Sequence, residues 1–223
     1  WSSDVCSSDL SEDPQAVNFY YNAAVIQDGL KEYTKAIRNY QQYFNTSKNL
    51  DRIEALFLVG RIWEKRGNKK KALQFYEKYM NSNPTDEKVV MEASFKVAEI
   101  YENENRRKKS DEWYKRTISI YRRLKAKGQV VGAKFAAKSQ FRLVFRTYES
   151  LREIEIPGNP KKQQVAVQRK LALLETLKED LKQVIKYDVG GQIVASLTLI
   201  GQAYQHMAAA LFNAPLPKGL DAK

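Results

Sequence analysis

The sequence predicts an all-α protein built from antiparallel helix pairs. Three observations carry that expectation. Apolar residues recur at helical spacing through most of the chain, and short Gly, Asn and Pro breakers separate the runs. Small residues return at matching places: Ala24, Gly60 and Ala98 in the first helix of three successive pairs, then Ala36, Ala72 and Ser110 twelve residues further on. Four residues after each of these stands a tyrosine, Tyr40, Tyr76 or Tyr114. Small residues at these sites let two helices approach closely, and a larger side chain would push the partner away. The units repeat at 36 and 38 residues, so the inter-pair linkers differ in length.

About nine helices follow from the pattern. The first pair is expected near Pro14–Gln27 and Lys31–Asn45, with Asp13 as N-cap and Pro14 in the first turn. The second spans Asp51–Arg66 and Lys69–Asn81, split by Arg66-Gly67-Asn68 and closed by Asn83-Pro84. The third spans Asp86–Asn103 and Arg106–Lys127, with Gly128 as its C-cap. Beyond it the pattern loosens. Val130–Glu155 reads as one long helix with Phe135, Phe141, Val144, Phe145, Tyr148 and Leu151 inward. After the break at Ile156–Pro160, Lys161–Tyr187 carries a stripe through Val167, Leu171, Leu174, Leu177, Leu181, Val184 and Ile185, ended by Gly190-Gly191. A last helix, Ile193–Phe212, repeats the Gly60/Trp63 spacing at Gly201 and Tyr204, and its partner would lie past Pro215 and Pro217.

The segment Leu56–Pro84 is the most specific. Gly60, Trp63, Ala72, Tyr76, Tyr79 and Pro84 fall at relative positions 0, 3, 12, 16, 19 and 24. In these positions the chain resembles the tetratricopeptide family, whose repeats are helix–turn–helix units of 34 residues. The likeness covers Asn18–Tyr121 closely and Val130–Phe212 in outline. It implies a right-handed superhelical solenoid acting as a non-enzymatic scaffold for protein partners. Residues 11–128 would form three repeats and 129–212 degenerate long-helix repeats, followed by a proline-containing tail, 213–223. The closing Phe212–Leu220 resembles a segment of long envelope-associated repeat proteins of gliding and predatory bacteria. That resemblance implies a periplasmic or envelope location.

The first ten residues, WSSDVCSSDL, have no helical period and resemble a translated sequencing adaptor. They are expected to be non-native, with the natural N-terminus and further chain lying outside this sequence. The one cysteine, Cys6, falls there, so disulfide and thiol chemistry have no residue in the remainder.

Chemistry has few candidates. His206 is the sole histidine, and no Cys-x-x-Cys, His-Glu-x-x-His or Asp-x-Asp-x-Asp arrangement occurs. No Gly-x-Gly-x-x-Gly or Gly-Lys-Ser/Thr loop is present to cradle a phosphate. The expectation is a protein without catalytic residues, metal or cofactor. No apolar run approaches the ~18 residues a membrane span requires.

Charge is the remaining signal. The net charge is +12, and Asp4 and Asp9 contribute −2 of it, leaving +14 for residues 11–223. Lys65, Arg66, Lys69, Lys70 and Lys71 surround the turn of the second pair. Arg106, Arg107, Lys108 and Lys109 surround the equivalent turn of the third. Stacking is expected to set the two clusters about 10 Å apart on one edge, as a basic ridge for an acidic peptide, an anionic lipid surface or nucleic acid. The alternative is that these turn cations only keep a long array in solution.

The family register also implies an inner groove, lined by Asn18, Tyr21 and Val25, by Glu54, Phe57, Arg61 and Glu64, and by Glu92, Phe95, Lys96 and Glu99. A peptide-binding site is expected on Tyr21, Phe57, Arg61, Phe95 and Lys96, with an aromatic line through Tyr21, Phe57 and Phe95 receiving an extended or helical segment. The carboxylate clamp of chaperone-binding members is not matched, because Tyr21 and Val25 stand where lysine and asparagine are required. Two functions remain open: a protein-binding scaffold, and a nucleic-acid-binding helical array supported by charge alone.

Overall fold

The computed structural model describes residues 14–216, and the described residues are helical with no strand. The order is α1 (Pro14–Gly29), α2 (Tyr33–Thr46), α3 (Glu54–Lys65), α4 (Lys69–Asn81), α5 (Glu87–Asn103), α6 (Arg107–Ala126), α7 (Ala133–Glu153), α8 (Pro160–Ile185) and α9 (Gly190–Phe212). The chain divides into two compact units, residues 1–113 and 114–223. That division falls inside α6, whereas the repeat register read from the sequence ends at Gly128. The Asp13 cap, Cys6 and Pro217 lie outside the described residues.

In the first unit α1 packs on α2, α3 on α4, α2 on α3 and α4 on α5. Ala24, Ala36, Gly60, Ala72, Ala98 and Ser110 are all buried. At Gly60 the reason is explicit: a Cβ there would lie 2.6 Å from Cε1 of the fully buried Tyr76.

The turn inside each pair is one structure used three times. Glu32, Asn68 and Arg106 each donate a backbone N–H to a carbonyl five residues earlier, at 2.8, 2.9 and 2.9 Å. The residue before each donates three residues back and adopts a left-handed φ: Lys31 at 62°, Gly67 at 74° and Asn105 at 58°. This is the Schellman arrangement, which satisfies the last carbonyls of the first helix as the chain reverses. Gly128, at φ 77°, ends α6 in the same way.

Helix starts are capped where the sequence supplies a short polar side chain. Asn68 accepts from the Lys71 N–H at 3.0 Å, and Asp86 from the N–H groups of Lys88 and Val89. Asn159 accepts from the Lys162 N–H, with Pro160 in the first turn of α8.

Three expectations are corrected. Helix α3 begins at Glu54 rather than Asp51, because Leu50–Ile53 forms a single 3₁₀ turn. Gly190-Gly191 does not end α8. That helix stops at Ile185, Asp188 takes a left-handed φ of 55°, and the two glycines open α9. Leu171 is not in the α8 stripe: it is 49% exposed, and Lys170 beside it is buried.

The second unit has its own core, in which α7, α8 and α9 pack together. Val144, Tyr148 and Leu151 meet Leu174, Leu177, Leu181 and Val184, with Leu199, Ala203 and Met207 closing it from α9. Phe141 and Phe145 pack half-buried against this core. On α9 the opposite stripe, Val194, Leu197, Gly201, Tyr204 and Leu211, is exposed.

Candidate interaction surfaces of the first unit

Of the predicted groove aromatics, Phe57 and Phe95 are core residues and Tyr21 is half-buried. Tyr21 stands at the same repeat position as Phe57, and each ring tucks against two tyrosines of its own second helix. Tyr21 lies 5.7 Å from Tyr40 and 5.2 Å from Tyr43, and Phe57 lies 5.6 Å from Tyr76 and 5.7 Å from Tyr79. Phe57 is 4% exposed and Phe95 3% exposed, so neither offers a surface to a bound segment. The physical reason is that a helix held between two neighbours buries more than one face. On α3, Ala55, Val59 and Ile62 pack into the core shared with α1 and α2, while Phe57 and Gly60 face the tyrosines of α4.

Apart from Val25, which is 46% exposed, the accessible groove positions carry polar groups. Tyr21 is half-buried and lines an open cleft of about 300 Å³ together with Asn18, Asn22, Tyr43, Asp51 and Glu54. The Tyr43 hydroxyl donates to Asp51 Oδ1 at 3.1 Å. The Glu54 side chain makes no hydrogen bond or ion pair among the described residues. Burial first, then the carboxylates of Asp86 and Asp51, raise its pKa above the ordinary glutamate value. Asn18 and Glu54 were legible as groove positions; Asn22, Tyr43 and Asp51 were not. The signal for Tyr43 was its recurrence 36 residues later as Tyr79.

Arg61 is exposed, with no ion pair or hydrogen bond of its side chain among the described residues, but Lys96 is engaged. Its Nζ donates to Glu64 Oε1 at 2.8 Å and lies 3.8 Å from Glu99. The other oxygen of Glu64 accepts from the Tyr76 hydroxyl at 2.8 Å. One carboxylate thereby ties α3 to both α4 and α5. Burial, followed by this carboxylate, raises the Tyr76 pKa far above the ordinary tyrosine value.

The basic clusters are largely engaged as well. Lys65 pairs with Asp28 at 2.6 Å, linking the first two helix pairs. Arg66 and Lys71 lie over the Trp63 ring, at 4.7 and 4.1 Å from its centre. Arg106 and Lys109 lie over Tyr101, at 4.5 and 5.4 Å, and Arg106 also reaches Glu104 at 3.3 Å. Trp63 and Tyr101 hold equivalent repeat positions, three residues after Gly60 and Ala98, so the second and third turns share an aromatic covered by cations. Arg107 has a partner as well. Lys69, Lys70 and Lys108 are exposed, with no ion pair among the described residues.

No group of three or more His, Cys, Asp or Glu side chains able to hold a metal occurs among the described residues, and no described helix is long and apolar enough to cross a membrane.

The family model that matches this chain is that of the tetratricopeptide repeat, over residues 54–86, which is α3, its turn, α4 and the Asp86 cap of α5. Residues 54–86 are a tetratricopeptide repeat. The recurring turn and the Tyr21/Phe57 aromatic trios carry the same repeat register into α1 and α2. Among solved structures, BtubC (BKLC) from P. vanneervenii is similar at 17% identity and a TM-score of 0.50, over 95% of this chain and 89% of that one. A MamA protein is similar at 14% identity and a TM-score of 0.48, over 88% of this chain and 90% of that one. At such identity the likeness to BtubC concerns the fold. No curated protein matches the sequence.

Proposed function

We propose that the chain is a protein-interaction scaffold that holds a peptide or helical segment of its partner on the polar inner surface of the first unit. The observation that carries this reading is the cleft of Asn18, Tyr21, Asn22, Tyr43, Asp51 and Glu54 beside the tetratricopeptide repeat. The side chains of Asn18, Asn22 and Glu54, which have no hydrogen-bond partner among the described residues, can complete their hydrogen bonds with a peptide backbone or polar side chain. Arg61, exposed further along α3, extends the surface. Lys69, Lys70 and Lys108 supply the edge charge that would steer an acidic partner.

Nucleic-acid binding is the second reading. What favours it is the placement of the half-buried Trp63 within the basic cluster of the second turn, the interleaving that stacking on bases requires, although the equivalent Tyr101 is 4% exposed. Against it, the chain's own cations already lie over those rings.

The two readings separate in one experiment. Peptides selected from a displayed library on the wild-type chain are titrated against Asn18→Ala, Tyr21→Ala and Arg61→Ala. Random single-stranded DNA is titrated in a salt series against the triple reversal K69E/K70E/K108E. The scaffold reading expects peptide affinity to fall about tenfold or more with the groove variants, and DNA affinity to be weak. Peptides indifferent to all three groove variants would refute it. DNA affinity with a steep salt slope that collapses on the triple reversal would establish the alternative. An envelope location rests on the resemblance of Phe212–Leu220, and fractionation of the native host tests it.

A further inference from the structure

Three helices of the second unit meet at a buried cation. Lys170 stands on α8 three residues after Val167 and four before Leu174, within the inward stripe, and is 1% exposed. Its Nζ donates to the Leu151 carbonyl at 2.6 Å. Leu151 belongs to the last turn of α7, whose carbonyls have no partner within the helix, so the ammonium serves as that helix's cap. The same Nζ lies 3.2 Å from Nε2 of His206 on α9. No carboxylate reaches Nζ among the described residues.

An ammonium offers only donors, so Nε2 must be the acceptor and the ring proton must sit on Nδ1. The charged groups facing His206 are Lys170 from α8 and Arg152 from α7, both cations. Burial first, then Lys170, then Arg152, hold the imidazole's pKa below the usual histidine range. Burial lowers that of Lys170 as well.

We propose that Lys170 and His206 form an acid-sensitive latch: one ammonium holds the end of α7 and the neutral ring of α9 to α8, and protonation of His206 sets cation against cation and loosens α9. The direction follows from linkage. An unfolded histidine takes up its proton near pH 6.5, and the folded one only at lower pH. Between those values the unfolded chain carries the extra proton, so stability falls as pH falls through the window. The latch contributes fully above about pH 6.5. Below it, the unfolding constant rises by up to about tenfold per pH unit.

His206 is the chain's only histidine, so its NMR titration needs no assignment by elimination. The expected midpoint lies below about 6.5 in the wild-type chain and rises in Lys170→Met. The second arm is urea denaturation of the full chain from pH 8 to 5, comparing wild type with His206→Gln. Glutamine can present an oxygen to Nζ but cannot take up the proton. The expected result is a wild-type curve that steepens below about pH 6.5 while the variant's does not. Exchange of α9 amides, corrected for its intrinsic pH dependence, should accelerate by the same factor. A histidine titrating at or above 6.5, or parallel pH profiles for wild type and His206→Gln, would overturn the latch. If either variant fails to fold, the wild-type titration and amide exchange decide.

Discussion

The same substitution, glycine to alanine, should have opposite effects at two sites that the sequence pattern treats as equivalent. Each glycine sits inside a helix, three residues before an aromatic. At Gly60 an added methyl would lie 2.6 Å from Tyr76 Cε1 and 2.7 Å from Cδ1, closer than real Cβ contacts come. The ring cannot swing away. It is fully buried, packs on Phe57 at 5.6 Å, and is tied through its hydroxyl to Glu64. Overpacking against so fixed a neighbour belongs in the upper part of the usual range, about 2–3 kcal/mol. Alanine's helix propensity offsets about 1 kcal/mol of that. Gly60→Ala is therefore expected to destabilise the first unit by about 1–2 kcal/mol. At Gly201 nothing lies within 4 Å of the added carbon, so only the propensity gain remains. Gly201→Ala should stabilise the second unit by about 0.5–1 kcal/mol. Amide hydrogen exchange reads both, because α3 and α4 report on one unit and α9 on the other. Slower exchange in α3 of Gly60→Ala, or faster exchange in α9 of Gly201→Ala, would refute the packing argument.

Other expectations follow from backbone and titration geometry. Lys31→Gly should raise the unfolding free energy read by urea titration by about 1 kcal/mol, since lysine at φ 62° is strained in a turn that glycine adopts freely. Gly67→Ala, at φ 74°, should cost about 1–2 kcal/mol in the same assay. Asp86→Ala, which removes the acceptor for two α5 amides, should cost about 1 kcal/mol, and Asn68→Ala a similar amount, both read by urea titration. At alkaline pH, burial keeps Tyr40, Tyr76 and Tyr79 protonated well above the ordinary range, and burial with the Glu77 contact pushes Tyr101 to about 12. The unfolded tyrosines ionise near 10, so stability should fall as pH rises above that value. Absorbance at the phenolate band should show these residues ionising together with unfolding rather than before it.

How far the sequence could be read depended on the range of each interaction. The Gly60–Tyr76 contact lies within one helix pair, where small and aromatic side chains leave a fixed spacing, and the structure places it as expected. The Arg66-Gly67-Asn68 turn was equally legible, because glycine advertises a left-handed φ. Lys31 and Asn105 adopt the same φ and could be found only by carrying the register across. Phe57 and Phe95 were misjudged because the groove register was applied without asking how many faces a sandwiched helix buries. The adjacent apolar run Ala55-Leu56-Phe57 was the available signal. The engagement of Lys96 with Glu64 and of Lys65 with Asp28 joins residues 32 and 37 apart, and no local pattern encodes such pairs. Lys170 was detectable: its spacing from Val167 and Leu174 fits the inward stripe, yet as a lysine it was replaced in that reading by its neighbour Leu171. Its partners on α7 and α9 were beyond reach of any local pattern.

The constancy of the inner turn bears on where the chain tolerates added length. From Ala24 to Ala36, Gly60 to Ala72 and Ala98 to Ser110 the count is always twelve, and the Schellman bonds fix the reversal between them. From Ala36 to Gly60 it is 24, and from Ala72 to Ala98 it is 26, so variation gathers in the connections around residues 47–49 and 82–85. Closing a longer flexible connection costs only about 0.6 kcal/mol per doubling of its length. An insertion within an inner turn must break two backbone hydrogen bonds and displace a cation from Trp63 or Tyr101. Affinity handles, protease sites or fluorescent insertions therefore belong at residues 47–49 or 82–85, where the chain already absorbs a difference of two residues.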